Sequence, residues 1–300
     1  MIKTRKNRLI YQCEGLIVTK TLKPPKLKIV YWGCRIMKIK PWSIGRVAKL
    51  SNRKLYGYAL TLKTDALRAI GILEEITDIF AKRGIPIIDL ETSCMPEAIR
   101  IIVYVDLTNV GIPSGEVSKK LSEVKFVRAI DEIKPINEGL IIDYVHFPPV
   151  LMGDRVVLLR KPVFDALIKG GYEKFGSAYA VFLYNVGFKM GIEGYKSHLK
   201  LVGNKSDTLL KFGGMIFEHV GFGIVEVEGV DKFSLRATCK VYKSCECELF
   251  KGANEPSSHF IRGMLAGWFT GFFNQGMIAK EIECIAKGDE YCRFKILRKY

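Results

Sequence analysis

The chain has 300 residues, 48% of them apolar and 11% aromatic, which excludes a disordered chain and suits about two domains with cores of their own. Eight cysteines with no cleavable apolar segment behind the basic start argue against a small secreted disulfide scaffold, and the most apolar run, 264–273, is about half the length of a membrane-crossing helix. A cytoplasmic protein with reduced, buried or metal-bound thiols, and no membrane partner, is expected. The net charge of +16 is concentrated at one end: residues 1–56 hold fifteen Lys and Arg against the single acid Glu14, while 57–136 and 137–300 are nearly balanced.

Residues 1–56 therefore read as a basic N-terminal arm, whose lysines and arginines suit electrostatic contact with phosphates. Residues 1–36 precede Met37 and carry an alternative reading as a non-native start. Residues 41–56 are too few for a helix-turn-helix domain, so direct DNA reading is disfavoured.

A regular pattern follows. Residues 58–62 read as a strand, and 66–82 as a helix with Ala66, Ala69, Ile70, Leu73, Ile76 and Phe80 on one face, ended by Gly84. Strands are expected at 86–92 and 101–107, a helix at 115–124 and a strand at 126–133. The order strand, helix, strand, strand, helix, strand is the split ferredoxin-like plan. On that order, on Thr64-Asp65-Ala66-Leu67 at the first turn and on Ile85-Pro86-Ile87-Ile88-Asp89-Leu90, residues 57–136 resemble an ACT domain. The resemblance implies a regulatory domain. Amino-acid-binding ACT domains commonly place Gly or Pro in that turn, whereas here it reads Asp65-Ala66-Leu67-Arg68, so a structural copy serving dimer contact is expected.

Residues 134–139 have hinge composition, which opens a second, mixed α/β domain over 140–300. Its expected elements are a strand at 154–159, helices at 162–172 and 178–195, and strands at 222–227, 235–242 and 245–250. A long helix at about 259–275 and strands at 277–284 and 292–296 close the chain.

Its chemistry lies at the end, where Glu281, Cys284 and Cys292 form E-x-x-C with a second cysteine after seven residues. Thiolates and a carboxylate suit zinc, and the turn Lys287-Gly288-Asp289-Glu290 folds the chain back between the cysteines. Residues 258–267 and 281–294 resemble the signature of 4-vinyl-reductase domains. They are also similar to the effector domains of phenol- and toluene-sensing bacterial activators, whose zinc is held by a cysteine before the glycine-rich helix, a glutamate and two cysteines. The resemblance implies a structural zinc on Glu281, Cys284 and Cys292. Ser258 stands where those sensors have the helix-start cysteine; His259, one position later, can take its place, and Cys245 and Cys247 are alternative donors.

Gly263, Gly267 and Gly271 recur every four residues and make a bare helix face suited to close packing on a sheet. Trp268, Phe269, Phe272 and Phe273 fill the rest of that helix, as a dimer seam or the wall of an apolar cavity, to which His219, Tyr242 and Trp268 would add polar contacts. No nucleophile and base are legible as a pair, and no catalytic residue is assigned. The expectation is a non-catalytic, homodimeric sensor or regulator with a structural zinc site, taking a small apolar or aromatic ligand. The alternatives are a tetrapyrrole-related vinyl reductase or accessory factor, and a nucleic-acid-binding regulator acting through the arm.

Overall fold

The computed structural model describes residues 40–68 and 70–299. Most of the basic arm and Ala69 of the expected first helix lie outside the described residues. The described chain divides into two compact units, 40–158 and 159–299. Residues 140–158, expected at the start of the second domain, are built into the first unit.

In chain order the first unit holds β1 (Val47–Lys49), β2 (Leu55–Leu62), α1 (Ile72–Ala81), β3 (Ile87–Cys94), β4 (Ile99–Asp106), α2 (Ser114–Ser122), β5 (Val127–Ile133), β6 (Leu140–Ile142), β7 (Val150–Leu151) and β8 (Asp154–Arg155). Four of the strands form an antiparallel sheet in the order β3-β4-β2-β5, which is the ferredoxin-like arrangement expected of an ACT-type domain. One face packs Tyr58, Leu60, Leu62, Ile101 and Val103 against Ile76 and Phe80 of α1 and Val117 and Leu121 of α2. The first helix starts later than its apolar spacing suggests. Thr64–Arg68 form a 3-10 turn, and Gly71 at φ 90° stands outside right-handed helical space, so α1 begins only at Ile72.

The other face is covered as well. Leu55, Ala59, Ile102, Tyr104 and Ile133 lie beneath Ile141, on a two-stranded ribbon in which β1 pairs antiparallel with β6. Tyr104 Oη donates to the Arg46 carbonyl at 2.8 Å, and Arg46 Nε donates to Asp143 at 2.7 Å. The last part of the apparent arm is thus an integral piece of this unit.

The second unit opens with α3 (Lys161–Asp165), a π turn at Ala166–Gly170 and α4 (Gly171–Phe175). It continues with α5 (Ser177–Val202), α6 (Ser206–His219), β9 (Ile224–Asp231), β10 (Arg236–Tyr242), α7 (His259–Phe273), β11 (Met277–Glu283) and β12 (Cys292–Arg298). The sheet is antiparallel in the order β11-β12-β10-β9. Period-two alternation turns Ala237, Cys239 and Val241 of β10, with Cys292, Phe294 and Ile296 of β12, into the core. Three expectations are corrected. The helix α6 was not anticipated, the strand at 154–159 shrinks to Asp154–Arg155, and 245–250 is not a strand but a turn leading into a 3-10 helix at Cys247–Phe250.

The bare face of α7 packs on α5, not on the sheet. A Cβ on Gly267 would stand 1.9 Å from the Phe188 carbonyl oxygen, and one on Gly263 2.1 Å from that of Tyr184. The fit is reciprocal, since a Cβ on Gly191 would stand 2.1 Å from the Met264 oxygen. Only hydrogen on both faces lets the two backbones approach this closely. Among the described residues no helix is long and apolar enough to cross a membrane.

Candidate metal centre and ligand cavity

Four donors converge behind the start of α7. Glu281 near the end of β11, Cys284 just after it, Cys292 at the start of β12 and Cys247 at the start of its 3-10 helix place their ligand atoms within 4.8 Å of one another. The connection between β11 and β12 brings the first three of these together. It contains a short 3-10 turn and Gly288 at φ 102°, and Asp289 pins it by accepting from the Cys284 N–H at 2.7 Å. Cys247 arrives separately, from the segment after β10.

The helix start is organised by a buried carboxylate. Glu246 accepts the N–H groups of Phe260 at 2.8 Å and Ile261 at 2.9 Å, two of the donors that a helix leaves free in its first turn. Burial pushes the Glu246 carboxyl up to about 7, against the pull of those backbone donors. Because Glu246 caps α7, the Ser258 side chain is released from that task. Its oxygen lies 2.7 Å from Cys247 Sγ and donates to Cys292 Sγ at 3.7 Å.

The donors suit a thiophilic cation. Cys247 Sγ and Cys284 Sγ are 3.5 Å apart, and two sulfurs at about 2.3 Å from one tetrahedral zinc would stand roughly 3.8 Å apart. One oxygen of Glu281 accepts from the Ser258 N–H at 3.2 Å, while the other is buried with no hydrogen-bond partner among the described residues. A buried carboxylate oxygen left bare is costly, and a cation removes that cost. Burial first, then the neighbouring Cys284, pushes Glu281 up to about 8, whereas hydrogen bonding from Cys247 draws the Cys284 thiol down. The cluster is one that can hold a metal ion.

Of the donors named from sequence, Glu281, Cys284 and Cys292 come together, and His259 stays outside the cluster. Its ring stacks on Tyr172 at 5.9 Å. Cys245 is also outside, and burial pushes its thiol up to about 12.

A second feature lies between α5, α6, α7 and the inner face of the sheet. It is a cavity of about 190 Å³ lined by aliphatic and aromatic side chains such as Leu210, Phe217, Val227, Leu265 and Phe269, with Met190, Cys239, His198 and Trp268. Gly213 leaves room for the Trp268 ring, which lies 3.1 Å from where its Cβ would be. Trp268 Nε1 donates to His198 Nδ1 at 3.1 Å. Burial pushes His198 below its ordinary value of 6.5 and so favours the neutral imidazole. None of the lining residues is Lys, Arg, Asp or Glu.

Of the three ligand contacts named from sequence, Trp268 alone lines this cavity. Tyr242 lies on the opposite sheet face to Val241, donating to Glu226 at 3.0 Å, and His219 is exposed at the end of α6. The sequence reading passed over His198 and Cys239. For Cys239 the alternation of β10 was a usable signal. For His198 the signal was its spacing of four and seven residues from Gly194 and Gly191 on α5. A wider, open cleft of about 390 Å³ mixes lysines and acids between Lys243 and Glu290.

The comparisons fall on this unit and on the ferredoxin-like one. The uncharacterized protein MJ0150 of Methanocaldococcus jannaschii is 27% identical over 166 residues, which are 55% of this chain and 88% of that protein. The phenol-responsive sensory domain of the transcription activator PoxR, solved with phenol, is 19% identical. It covers 50% of this chain and 79% of its own, with a TM-score of 0.46. A vinyl-4-reductase family protein from Methanocaldococcus jannaschii is 21% identical and covers 48% of this chain and 85% of its own, with a TM-score of 0.34. The ACT domain from GTP pyrophosphokinase of Chlorobium tepidum is 15% identical and covers 27% of this chain and 97% of its own, with a TM-score of 0.22. The family model of the vinyl-4-reductase domain matches residues 238–298, a span that holds Cys247, Glu281, Cys284 and Cys292 together with all of α7. The C-terminal unit carries a vinyl-4-reductase domain.

Proposed function

We propose that this protein is a non-catalytic sensor in which the C-terminal unit binds a small apolar or aromatic molecule and a structural zinc holds the base of the binding unit in shape. The observation that carries the reading is the uncharged cavity beside α7, the same helix whose first turn borders the metal-binding cluster. A cavity of about 150 Å³ lined by apolar side chains takes up benzene, so about 190 Å³ suits one ring with a small substituent. Zinc is the ion favoured by three thiols and a carboxylate, and a full set of protein donors is typical of a structural rather than a catalytic site. Cys247, Glu281, Cys284 and Cys292 would hold it.

The cavity wall and the metal cluster share α7, so occupancy of one is coupled to the order of the other through a single packed helix. The sensor acts as a homodimer in this reading, supported by exposed apolar side chains such as Val163, Leu167 and Phe175 before α5 and Val181 and Phe182 on it. The ferredoxin-like unit serves as its regulatory partner domain, and the basic arm is a candidate contact to nucleic acid or to a partner protein.

Thermal unfolding of the zinc-loaded protein with and without single-ring aromatics tests the assignment, because a ligand that binds only the folded state raises Tm by mass action. A concentration-dependent rise is expected. Reproducible reduction of a tetrapyrrole vinyl group by the purified protein with a nicotinamide cofactor would replace the sensor by the enzyme.

A further inference from the structure

The cavity contains one polar arrangement, and its chemistry is fixed by what an indole can do. The indole N–H only donates, so the His198 Nδ1 that receives it at 3.1 Å carries no proton. The single proton of a neutral imidazole then sits on Nε2, which makes no hydrogen bond among the described residues. Burial, which lowers the proton affinity of the ring, works in the same direction.

We propose, resting on the ligand-sensing reading above, that Trp268 locks His198 as a hydrogen-bond donor and that the cavity thereby selects uncharged one-ring ligands bearing a hydrogen-bond acceptor. A carbonyl, ether or hydroxyl oxygen meets Nε2–H. A purely apolar ligand of the same shape leaves that N–H desolvated and unpaired, and a donor-only ligand sets N–H against N–H. An anion or cation finds no countercharge, since no acidic or basic side chain lines the wall. His198 is in this account the specificity-determining residue and Trp268 a positioning residue that acts through it.

The test uses the full, zinc-loaded chain and four probes titrated by calorimetry: acetophenone, its planar isostere α-methylstyrene, benzoate and pyrrole. Acetophenone is expected to bind about tenfold tighter than α-methylstyrene, the discrimination ordinarily gained by satisfying one buried donor. Benzoate is expected not to bind at millimolar concentration. Trp268→Phe keeps an aromatic ring but frees Nδ1, so the imidazole can present an acceptor. The ratio of acetophenone to pyrrole affinity should then fall by about fivefold or more.

Equal affinities for acetophenone and α-methylstyrene, tighter binding of benzoate, or an unchanged acetophenone-to-pyrrole ratio in Trp268→Phe would each overturn the selection rule while leaving the cavity as a binding site. Failure of every neutral probe to bind would instead remove the sensing reading and the proposal with it. The wild-type series decides the rule even if Trp268→Phe does not fold.

Discussion

Ser258 Oγ and Cys247 Sγ stand 2.7 Å apart beneath the first turn of α7. Ser258 occupies the helix-start position that a cysteine holds in the sensors this chain resembles, and the sulfur reaches the same place from a 3-10 turn earlier in the chain. Purified, reduced protein is expected to carry about one zinc per chain, and Cys247→Ser to lose it. Restoring a sulfur from the other side, with Cys247→Ser combined with Ser258→Cys, should bring the metal back. Ser258→Ala removes only a hydrogen bond to the cluster and should weaken zinc by about 10- to 100-fold. Mass-spectrometric metal analysis of the four proteins decides it, and undiminished zinc in Cys247→Ser would exclude Cys247 as a ligand.

The contact of Gly267 with the Phe188 carbonyl makes a sharp stability test. A methyl group there must push α5 and α7 apart, so Gly267→Ala should cost about 1–3 kcal/mol. Gly194→Ala, on α5 with nothing within 4 Å of the added Cβ, should instead be neutral or stabilising by about 0.5–1 kcal/mol through its better helix propensity. Urea unfolding of the two variants should move in opposite directions. Similar losses in both would mean that helix propensity and not backbone contact sets the glycine pattern.

The parts of the fold that were legible are those in which signal and partner are close in sequence. The ferredoxin-like order and the Glu281, Cys284 and Cys292 donors belong to local strands and one connecting loop, and the four-residue glycine spacing showed that α7 has a bare face. What that face meets was not legible, because the complementary glycines lie on α5, far earlier in the chain. Cys247 could not be singled out for the same reason. A short apolar run at 245–250 reads as a strand, and only the turn at Ser244 and Glu246, tied to α7, folds it into a 3-10 helix. The pairing of Ala48 with Ile141 likewise joins the two ends of the first unit and leaves no local trace.

Glu246 carries a load that its sequence context conceals. Glu246→Ala strands the Phe260 and Ile261 N–H groups in the core, at about 1–3 kcal/mol for each. Glu246→Gln keeps one acceptor oxygen and should lose about half as much. Denaturant unfolding of zinc-loaded protein measures both. A loss below about 1 kcal/mol for Ala would show that another group caps α7.

The Trp268 to His198 bond gives a pH signature. Burial lowers the His198 proton affinity in the folded state from its ordinary 6.5, so the unfolded chain takes up this proton first as pH falls. The contribution to stability is intact above about pH 6.5 and is lost as pH falls through the lower folded value. Protonation of Nδ1 also abolishes the acceptor for the indole N–H, so the bond and the charge state are lost together. Wild-type protein should therefore lose more stability than His198→Phe between about pH 7.5 and about pH 5, even though the variant starts lower because its Trp268 N–H lacks a partner. Comparing the two proteins cancels the other groups that titrate in this range. Equal losses, by urea unfolding at matched ionic strength, would mean that His198 is as readily protonated folded as unfolded and that the cavity does not hold it neutral.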